Sequence, residues 1–194
     1  MASFCLLRLG APHAGHAALV ETMLEVEPDA CAVLIGSGDV TGRPDTPLPW
    51  EERRDLLIAL LRLRGGDERR VDFAPLAELE TDGWDARWCA YLLEASRRVL
   101  RGEPTRYVFG DDYVTELFAP LIAQAPALDL CRVPRRYDKS ARELRIAIAK
   151  EDPRLLAKYE SELGIYSAAA RARIARACAG GVDRPQGPGS PASP

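Results

Sequence analysis

Two histidines, His13 and His16, are the only ones in the chain, and they follow an apolar run by a few residues. The run Ser3–Leu9 predicts a buried strand, and the small residues that begin at Gly10 predict a tight turn before a helix. A helix start presents backbone N–H groups without helical partners and the positive end of the helix dipole, and both favour phosphate. Imidazole also donates hydrogen bonds to phosphoryl oxygens. These residues therefore predict a phosphate site at the turn, although a capping or packing role is the alternative for either histidine.

A second group with chemical potential is the stretch 132–145, which holds six Lys or Arg residues in 14 positions of an otherwise acidic chain. Lys139, Arg142 and Arg145 are spaced by three, so on a helix they lie on roughly one side. Ser140 is placed to cap that helix. A cationic cluster at a helix start suits a polyphosphate, because Arg binds phosphate with two donors. A solvated basic face is the alternative.

The elements that must position these residues alternate between apolar runs and amphipathic stretches, which predicts an α/β fold with an open parallel sheet and a helical C-terminal extension. Ligands of such sheets bind at the carboxyl ends of the strands, so the turns at His13, Ser37 and Gly110 should open on one edge. The expected strands are Ser3–Leu9, Ala30–Gly36, Arg70–Pro75, Arg106–Phe109 and Leu128–Val133. The expected helices are Gly15–Glu27, Trp50–Leu63, Trp84–Leu100, Tyr113–Ala123, Ser140–Lys150, Pro153–Leu163 and Ser167–Ala179.

Composition narrows the function further. A net charge of −3 argues against a general nucleic-acid binder. The five cysteines form no C-x-x-C pair, and with only two histidines a zinc site is not expected, so reduced thiols in a cytoplasmic protein fit best. We expect no membrane span and no signal peptide. The chain is expected to form one domain over 1–179, followed by a disordered Gly/Pro/Ser-rich tail over 180–194.

The segment Pro12-His13-Ala14-Gly15-His16 resembles the H-x-G-H signature of the nucleotidyltransferase superfamily. That superfamily includes the nicotinamide-mononucleotide (NMN) adenylyltransferases, the phosphopantetheine adenylyltransferases and the small cytidylyltransferases. The archaeal-type NMN adenylyltransferases carry a longer version, G-R-F-Q-P-x-H-x-G-H. Arg8 falls on its Arg, while Leu7 and Leu9 replace its Gly and its Phe.

The segment 140–145 resembles the second signature of the same family, I-S-S/G/A-T-E-I/V-R. Ser140, Glu143 and Arg145 match, and Arg142 replaces the Thr. Weaker similarities lie at 35–37 (I-G-S), at 46–53 (N-P-F-x-x-x-E-R), at 85–88 (N/D-x-x-W) and at 108–112, where the family contacts ATP. Together these similarities cover roughly residues 4–150.

The resemblance implies a Rossmann-like fold of the nucleotidyltransferase type, with helices on both faces of the sheet, and transfer of a nucleoside monophosphate to a phosphate-bearing acceptor with release of pyrophosphate. ATP and NMN, giving NAD, are the implied substrates, with Mg²⁺ bound through substrate phosphates and no metal ligand from the protein. The implied catalytic residues are His13, His16 and Arg145. The implied nucleotide and phosphate contacts are Arg8, Gly10, Lys139, Ser140, Arg142, Gly110 and Asp111, and the implied acceptor contacts are Ser37, Arg53, Asp85 and Trp88.

The same residues also fit other functions. The triphosphate could be CTP with a phosphate or phosphonate acceptor, or the protein could bind a nucleotide without catalysis, or it could bind phosphate alone. Trp88 fits an apolar helix face, Asp85 fits a helix cap or an ion pair, Ser37 fits a turn, and Asp111 fits a strand end. A homo-oligomer is possible, but no residue pattern marks an interface.

Overall fold

Five strands form one parallel sheet in the computed structural model: β1 Ala2–Leu7, β2 Ala30–Gly36, β3 Val71–Leu76, β4 Arg106–Gly110 and β5 Asp129–Val133. The structure describes residues 1–26, 30–81, 84–110 and 118–180. The strand order is β3-β2-β1-β4-β5, and every neighbouring pair is parallel. Successive strands are added on one side of β1 up to β3 and on its other side from β4 onward, so the strand order switches at the β1/β4 pair. Such a switch point is where α/β sheets of this type bind ligands.

The described helices are α1 Ala14–Val26, α2 Trp50–Leu63, α3 Ala86–Leu100, α4 Ala119–Gln124, α5 Ala141–Lys150, α6 Pro153–Lys158, α7 Glu160–Leu163 and α8 Ala168–Ala179. A short 3₁₀ helix, Glu68–Arg70, precedes β3. The predicted α/β class with a helical C-terminal extension is confirmed. Strand β2 and helix α2 begin and end at the predicted residues.

The prediction of one continuous helix over Pro153–Leu163 is wrong. The stretch Pro153–Leu163 forms two helices, because the backbone leaves helical geometry at Tyr159 (φ −112°, ψ 17°). Tyr159 is fully buried, and its hydroxyl bonds with Ser140 and Glu143 on the neighbouring segment. This tertiary contact fixes where α6 ends. The start of the predicted helix Tyr113–Ala123 lies outside the described residues. The part of the predicted tail beyond Gly180 also lies outside them.

Both faces of the sheet are covered. Apolar residues of α1 and α2 pack on one face, around Val20, Leu57 and Val33. Residues of α3 and α4 pack on the other face, around Leu92, Leu121 and Phe4. Within the described residues, no helix has the length and apolar character needed to cross a membrane.

A third apolar cluster joins the C-terminal extension to the turn after β1. It contains Leu144 and Ile148 of α5 and Ile174 of α8, together with Ala11 of the turn and Leu48 of the loop after β2. The extension is thus packed against the carboxyl edge of the sheet. This packing brings α5 and its basic side chains next to the two histidines.

Candidate functional site

The two histidine rings lie side by side at the start of α1, with 4.0 Å between their centroids. The backbone N–H of Gly15 donates to Nδ1 of His13 at 3.1 Å, and the backbone N–H of His13 donates to Nδ1 of His16 at 3.2 Å. A nitrogen that accepts a hydrogen bond carries no proton, so each neutral ring carries its proton on Nε2. Neither Nε2 has a hydrogen-bond partner within the described part of the chain. The turn therefore presents two oriented N–H donors.

The surroundings keep both rings neutral. Burial lowers the pKa of His13 to about 3, and the charges of Arg135 and Lys139 act in the same direction. Burial also holds the pKa of His16 well below its usual value, with help from His13 and Arg145. At neutral pH both imidazoles are uncharged, so they act on an anion as hydrogen-bond donors, and the positive charge of the site comes from its arginines and lysine.

The backbone N–H groups at the start of α1 are already bonded. Ala14 donates to a carboxylate oxygen of Glu162 at 3.2 Å, and Gly15 donates to the His13 ring. His16 and Ala17 both donate to the His13 carbonyl, at 2.9 and 3.4 Å. The expectation that free amides at this helix start bind phosphate is therefore wrong. The donors available at this turn are the imidazole Nε2–H groups.

Arg145 lies against Gly10, which precedes the histidine turn. A Cβ atom at Gly10 would come within 2.5 Å of Arg145 Nη1 and within 2.2 Å of the Asp45 carbonyl oxygen. Only glycine allows this approach of α5 and the loop after β2. Arg145 is partly buried, which lowers its pKa, and its side chain has no hydrogen-bond or ion-pair partner among the described residues. A partly buried guanidinium that has no partner among the described residues, next to two N–H donors, is suited to binding an anion.

The other cations of the predicted phosphate site differ in their surroundings. Arg8 is exposed and pairs with Asp45 at 3.1 Å. Lys139 donates to both carboxylate oxygens of the buried Glu162, at 2.7 and 2.9 Å. Arg142 is exposed on the first turn of α5. The structure thus gathers the predicted cations around one site, with Arg8 and Lys139 already in ion pairs.

Ser140 caps α5, as predicted. Its Oγ accepts the backbone N–H of Glu143 at 3.1 Å, and its own N–H donates to the Tyr159 hydroxyl at 2.9 Å. The backbone N–H of Ser140 is therefore used within the protein, and the hydroxyl hydrogen is the donor that it has left for a ligand.

Arg53 is fully buried at the start of α2. Its guanidinium donates to the carbonyls of Arg8 at 2.6 Å, Gly36 at 2.9 Å and Ser37 at 2.7 Å, which follow or end β1 and β2. A side chain without exposed surface cannot touch an acceptor in this arrangement. We therefore revise the predicted acceptor role: Arg53 positions the two turns that form the edge of the site.

The two turns share an unusual backbone conformation. Leu9 (φ 54°) and Ser37 (φ 52°) both lie in the left-handed region, which costs a non-glycine residue about 1 kcal/mol. Each adjoins a carbonyl that is bonded to Arg53. The charged hydrogen bonds of Arg53 offset this cost. Ser37 is buried, with only 6% of its surface exposed.

The remaining acceptor candidates lie on the α3 side of the sheet. Asp85 caps α3, with its carboxylate accepting the backbone N–H of Trp88 at 2.7 Å. The Trp88 ring is partly buried and packs against Trp84 at 4.7 Å between centroids, within an aromatic cluster that includes Phe118. The cap and the core contact foreseen as alternatives are therefore both present, and part of the Trp88 ring remains exposed.

Gly110 ends β4 at the same edge of the sheet as the histidine turn, close to Leu19 of α1. Asp111, its predicted companion in nucleotide binding, lies outside the described residues. The described residues contain no group of three or more His, Cys, Asp or Glu side chains that could hold a metal ion.

Sequence reasoning missed Glu162 and Tyr166. Glu162 bonds to Ala14 and Lys139, and the Tyr166 hydroxyl donates to the Pro12 carbonyl. Both residues belong to the C-terminal extension, about 150 positions from the turn they contact. A single sequence carries no spacing signal for such a contact, because only the packing of the extension creates it.

No protein-family model and no curated protein matches this sequence. Among solved structures, the chain is similar to two structures of a bifunctional NMN adenylyltransferase/ADP ribose pyrophosphatase from Francisella tularensis, one of them complexed with AMP and a manganese ion. The identity is 18% in both cases, and the TM-scores are 0.64 for the complex and 0.65 for the other structure.

The similarity covers 90% of this chain and 52% of each of those chains, so this chain spans about half their length. At this identity the likeness shows the fold. The chain has an α/β, Rossmann-like fold similar to that of these structures, which confirms the predicted fold class.

Proposed function

We propose that this protein is a nucleotidyltransferase that moves AMP from ATP to NMN, giving NAD and pyrophosphate. The observation that carries the proposal is the pair of neutral imidazoles beside the Arg145 guanidinium, since neither their Nε2–H groups nor Arg145 has a partner among the described residues. Two oriented donors and a fixed positive charge, at the carboxyl edge of the sheet, suit the α-phosphate of a nucleoside triphosphate. The fold, which is also that of an NMN adenylyltransferase, supports the same conclusion.

In the proposed reaction, an oxygen of the acceptor phosphate attacks the α-phosphorus in line. The new P–O bond forms as the bond from the α-phosphorus to the α,β-bridging oxygen breaks, and its electron pair leaves with pyrophosphate. Negative charge grows on the transferring group and on the leaving oxygen. His16, His13 and Arg145 stabilise that charge by donating hydrogen bonds, without forming a covalent intermediate.

The other residues of the site bind and orient the substrates in this proposal. Arg8, Lys139, Arg142 and the Ser140 hydroxyl hold the triphosphate and the leaving pyrophosphate. Gly10, which has no side chain, allows the phosphates to approach the backbone closely. Gly110 and Asp111 border the nucleoside, and Ser37, Asp85 and Trp88 line the acceptor site, with the exposed part of the Trp88 ring available for stacking.

Mg²⁺ fits this arrangement as a companion of the triphosphate. The described residues offer no cluster of metal ligands, and Mg²⁺ commonly keeps several waters and binds substrate phosphates. Bound in this way, the ion would neutralise charge on the phosphates. The residues of this chain would then contact the metal–triphosphate complex through its phosphate oxygens.

The test is pyrophosphate release with Mg²⁺, using ATP, CTP, GTP and UTP, each with and without NMN. We expect release with ATP and NMN together, and a loss on the order of 10²–10³ in His16→Ala. Glu25→Ala, an exposed substitution on the same helix, is the matched control and should retain full activity.

Other outcomes separate the alternatives. Release with CTP in place of ATP would keep the mechanism and change the base. Nucleotide binding without release would indicate an inactive nucleotide-binding protein. The absence of both nucleotide binding and pyrophosphate release would contradict the proposal.

A further inference from the structure

Glu162 is a carboxylate with 1% of its surface exposed, and it lies at the start of α1 in the position that an anion would take. One oxygen accepts the backbone N–H of Ala14 at 3.2 Å, and the other accepts the Ser161 hydroxyl at 2.6 Å. Both oxygens accept Lys139 Nζ, at 2.7 and 2.9 Å. These bonds lower the pKa of Glu162 against the opposing effect of burial, so the carboxylate remains charged.

This buried pair is not explained by stability alone. Removing two charges from water costs several kcal/mol per ion in a protein, and apolar side chains of similar volume often do as well or better. The pair is also not placed at random. It connects α7 to the turn of the two histidines and to the segment before α5, and the latter two are parts of the proposed phosphate site.

Among the described residues, Glu162 is the one hydrogen-bond and ion-pair partner of the Lys139 ammonium group. Its ammonium group also lies 5.5 Å from the Tyr159 ring centroid, and its charge is felt by His13. An ammonium group has three N–H donors, and a two-oxygen contact with one carboxylate leaves donor capacity for a second anion. Glu162 therefore fixes the direction in which Lys139 approaches the histidines, and it does so without blocking Lys139.

We propose that Glu162 is a positioning residue of the active site: it holds Lys139 beside the histidine turn, so that the C-terminal extension sets the geometry of phosphate binding. This inference rests on the proposed nucleotidyl transfer. It makes the extension part of the reaction centre, although Glu162 itself touches no substrate.

The test compares Glu162→Gln, Lys139→Gln and the double variant in steady-state kinetics, with kcat expressed per folded protein and thermal unfolding measured in parallel. Glutamine keeps one oxygen as an acceptor for the Ala14 amide, and it removes both the negative charge that holds Lys139 and the second acceptor oxygen, which Lys139 and Ser161 share. We expect kcat to fall about 10- to 100-fold in Glu162→Gln, with a smaller change in the KM for ATP, because a misplaced group costs this much. Glu160→Gln, an exposed change on the same short helix, should match the wild type.

The double variant carries the decisive result, and its two neutral amides also avoid leaving a buried charge unpaired if Glu162→Gln folds poorly. Since Glu162 acts through Lys139, the double variant should lose no more activity than Lys139→Gln alone. Losses that multiply, or a lower unfolding temperature with unchanged kcat, would overturn the positioning role. A wild-type protein without any pyrophosphate release would instead overturn the proposed function, and this inference with it.

Discussion

The guanidinium of Arg145 lies so close to Gly10 that a Cβ atom there would come within 2.5 Å of Nη1. The same atom would come within 2.2 Å of the Asp45 carbonyl, which belongs to the backbone and cannot rotate away. Gly10→Ala should therefore displace Arg145 and the loop after β2 together. We expect transferase activity to fall by about 10² or more, since misplacement of about 1 Å has this effect.

Gly102→Ala is the control for this prediction, because nothing lies within 4 Å of its Cβ position. The measurement is kcat/KM for both variants, with circular dichroism to check that they fold. Wild-type activity in Gly10→Ala would show that the contact between Arg145 and Gly10 has no part in the reaction.

The histidine tautomers can be read directly, because the chain contains only two histidines and a long-range ¹H–¹⁵N spectrum shows two ring systems. Each Nδ1 accepts a backbone N–H, so both rings should be neutral and protonated on Nε2 at pH 7. Adding a non-hydrolysable ATP analogue should shift both Nε2–H signals. A proton on either Nδ1 at pH 7 would contradict the arrangement of the donors.

The lowered pKa values of His13 and His16 also predict how stability depends on pH. Their folded-state pKa values lie below the unfolded value near 6.5, so below pH 6.5 the unfolded chain binds protons that the folded chain does not. Stability is thus fully present above pH 6.5 and is lost as the pH falls. The loss should approach about 1.4 kcal/mol per pH unit for each histidine.

Urea unfolding between pH 7 and pH 5 measures this loss, since carboxylates titrate mainly below that range. His13→Asn should reduce the slope relative to the wild type. An equal slope in both proteins would show that His13 titrates normally in the folded state.

Substitution of Arg53 should lower the free energy of unfolding without a specific change in acceptor binding. Its fork of donors holds three carbonyls, and a lysine in its place cannot span them. We expect Arg53→Lys to reduce the free energy of unfolding by about 2–4 kcal/mol, as expected for the loss of charged hydrogen bonds in a buried site. The neighbouring Arg54→Lys, which alters an exposed pair with Asp55, should change it by less than about 0.5 kcal/mol. A fully stable Arg53→Lys protein with a raised KM for NMN would restore the acceptor role.

The elements that could be predicted from the sequence are those whose pattern is local. Helix α2 has Pro before its first residue and a continuous apolar stripe, and both of its ends agree with the prediction. Ser140 was recognisable as a cap, because a serine cap needs only the three residues that follow it. The placement of His13 on the turn and of His16 in the first turn of α1 was equally visible in the spacing.

What could not be predicted depends on contacts between distant parts of the chain. The amides at the start of α1 looked free, yet Glu162, 148 positions later, takes one of them. Arg53 looked like a ligand contact, yet its surroundings are carbonyls that come from two separate turns. In each case the residue type indicated a strong donor or acceptor, and only the fold determined its partner.

In the proposed reaction, the histidine turn catalyses transfer of the α-phosphoryl group of ATP together with its nucleoside. The most direct measurement uses ATP labelled at the α-phosphorus, with NMN and Mg²⁺, and follows the label by chromatography. We expect labelled NAD from the wild type, unlabelled pyrophosphate, and a loss on the order of 10²–10³ in His16→Ala. Label released as free AMP regardless of NMN, or label remaining in ATP, would contradict the proposed reaction.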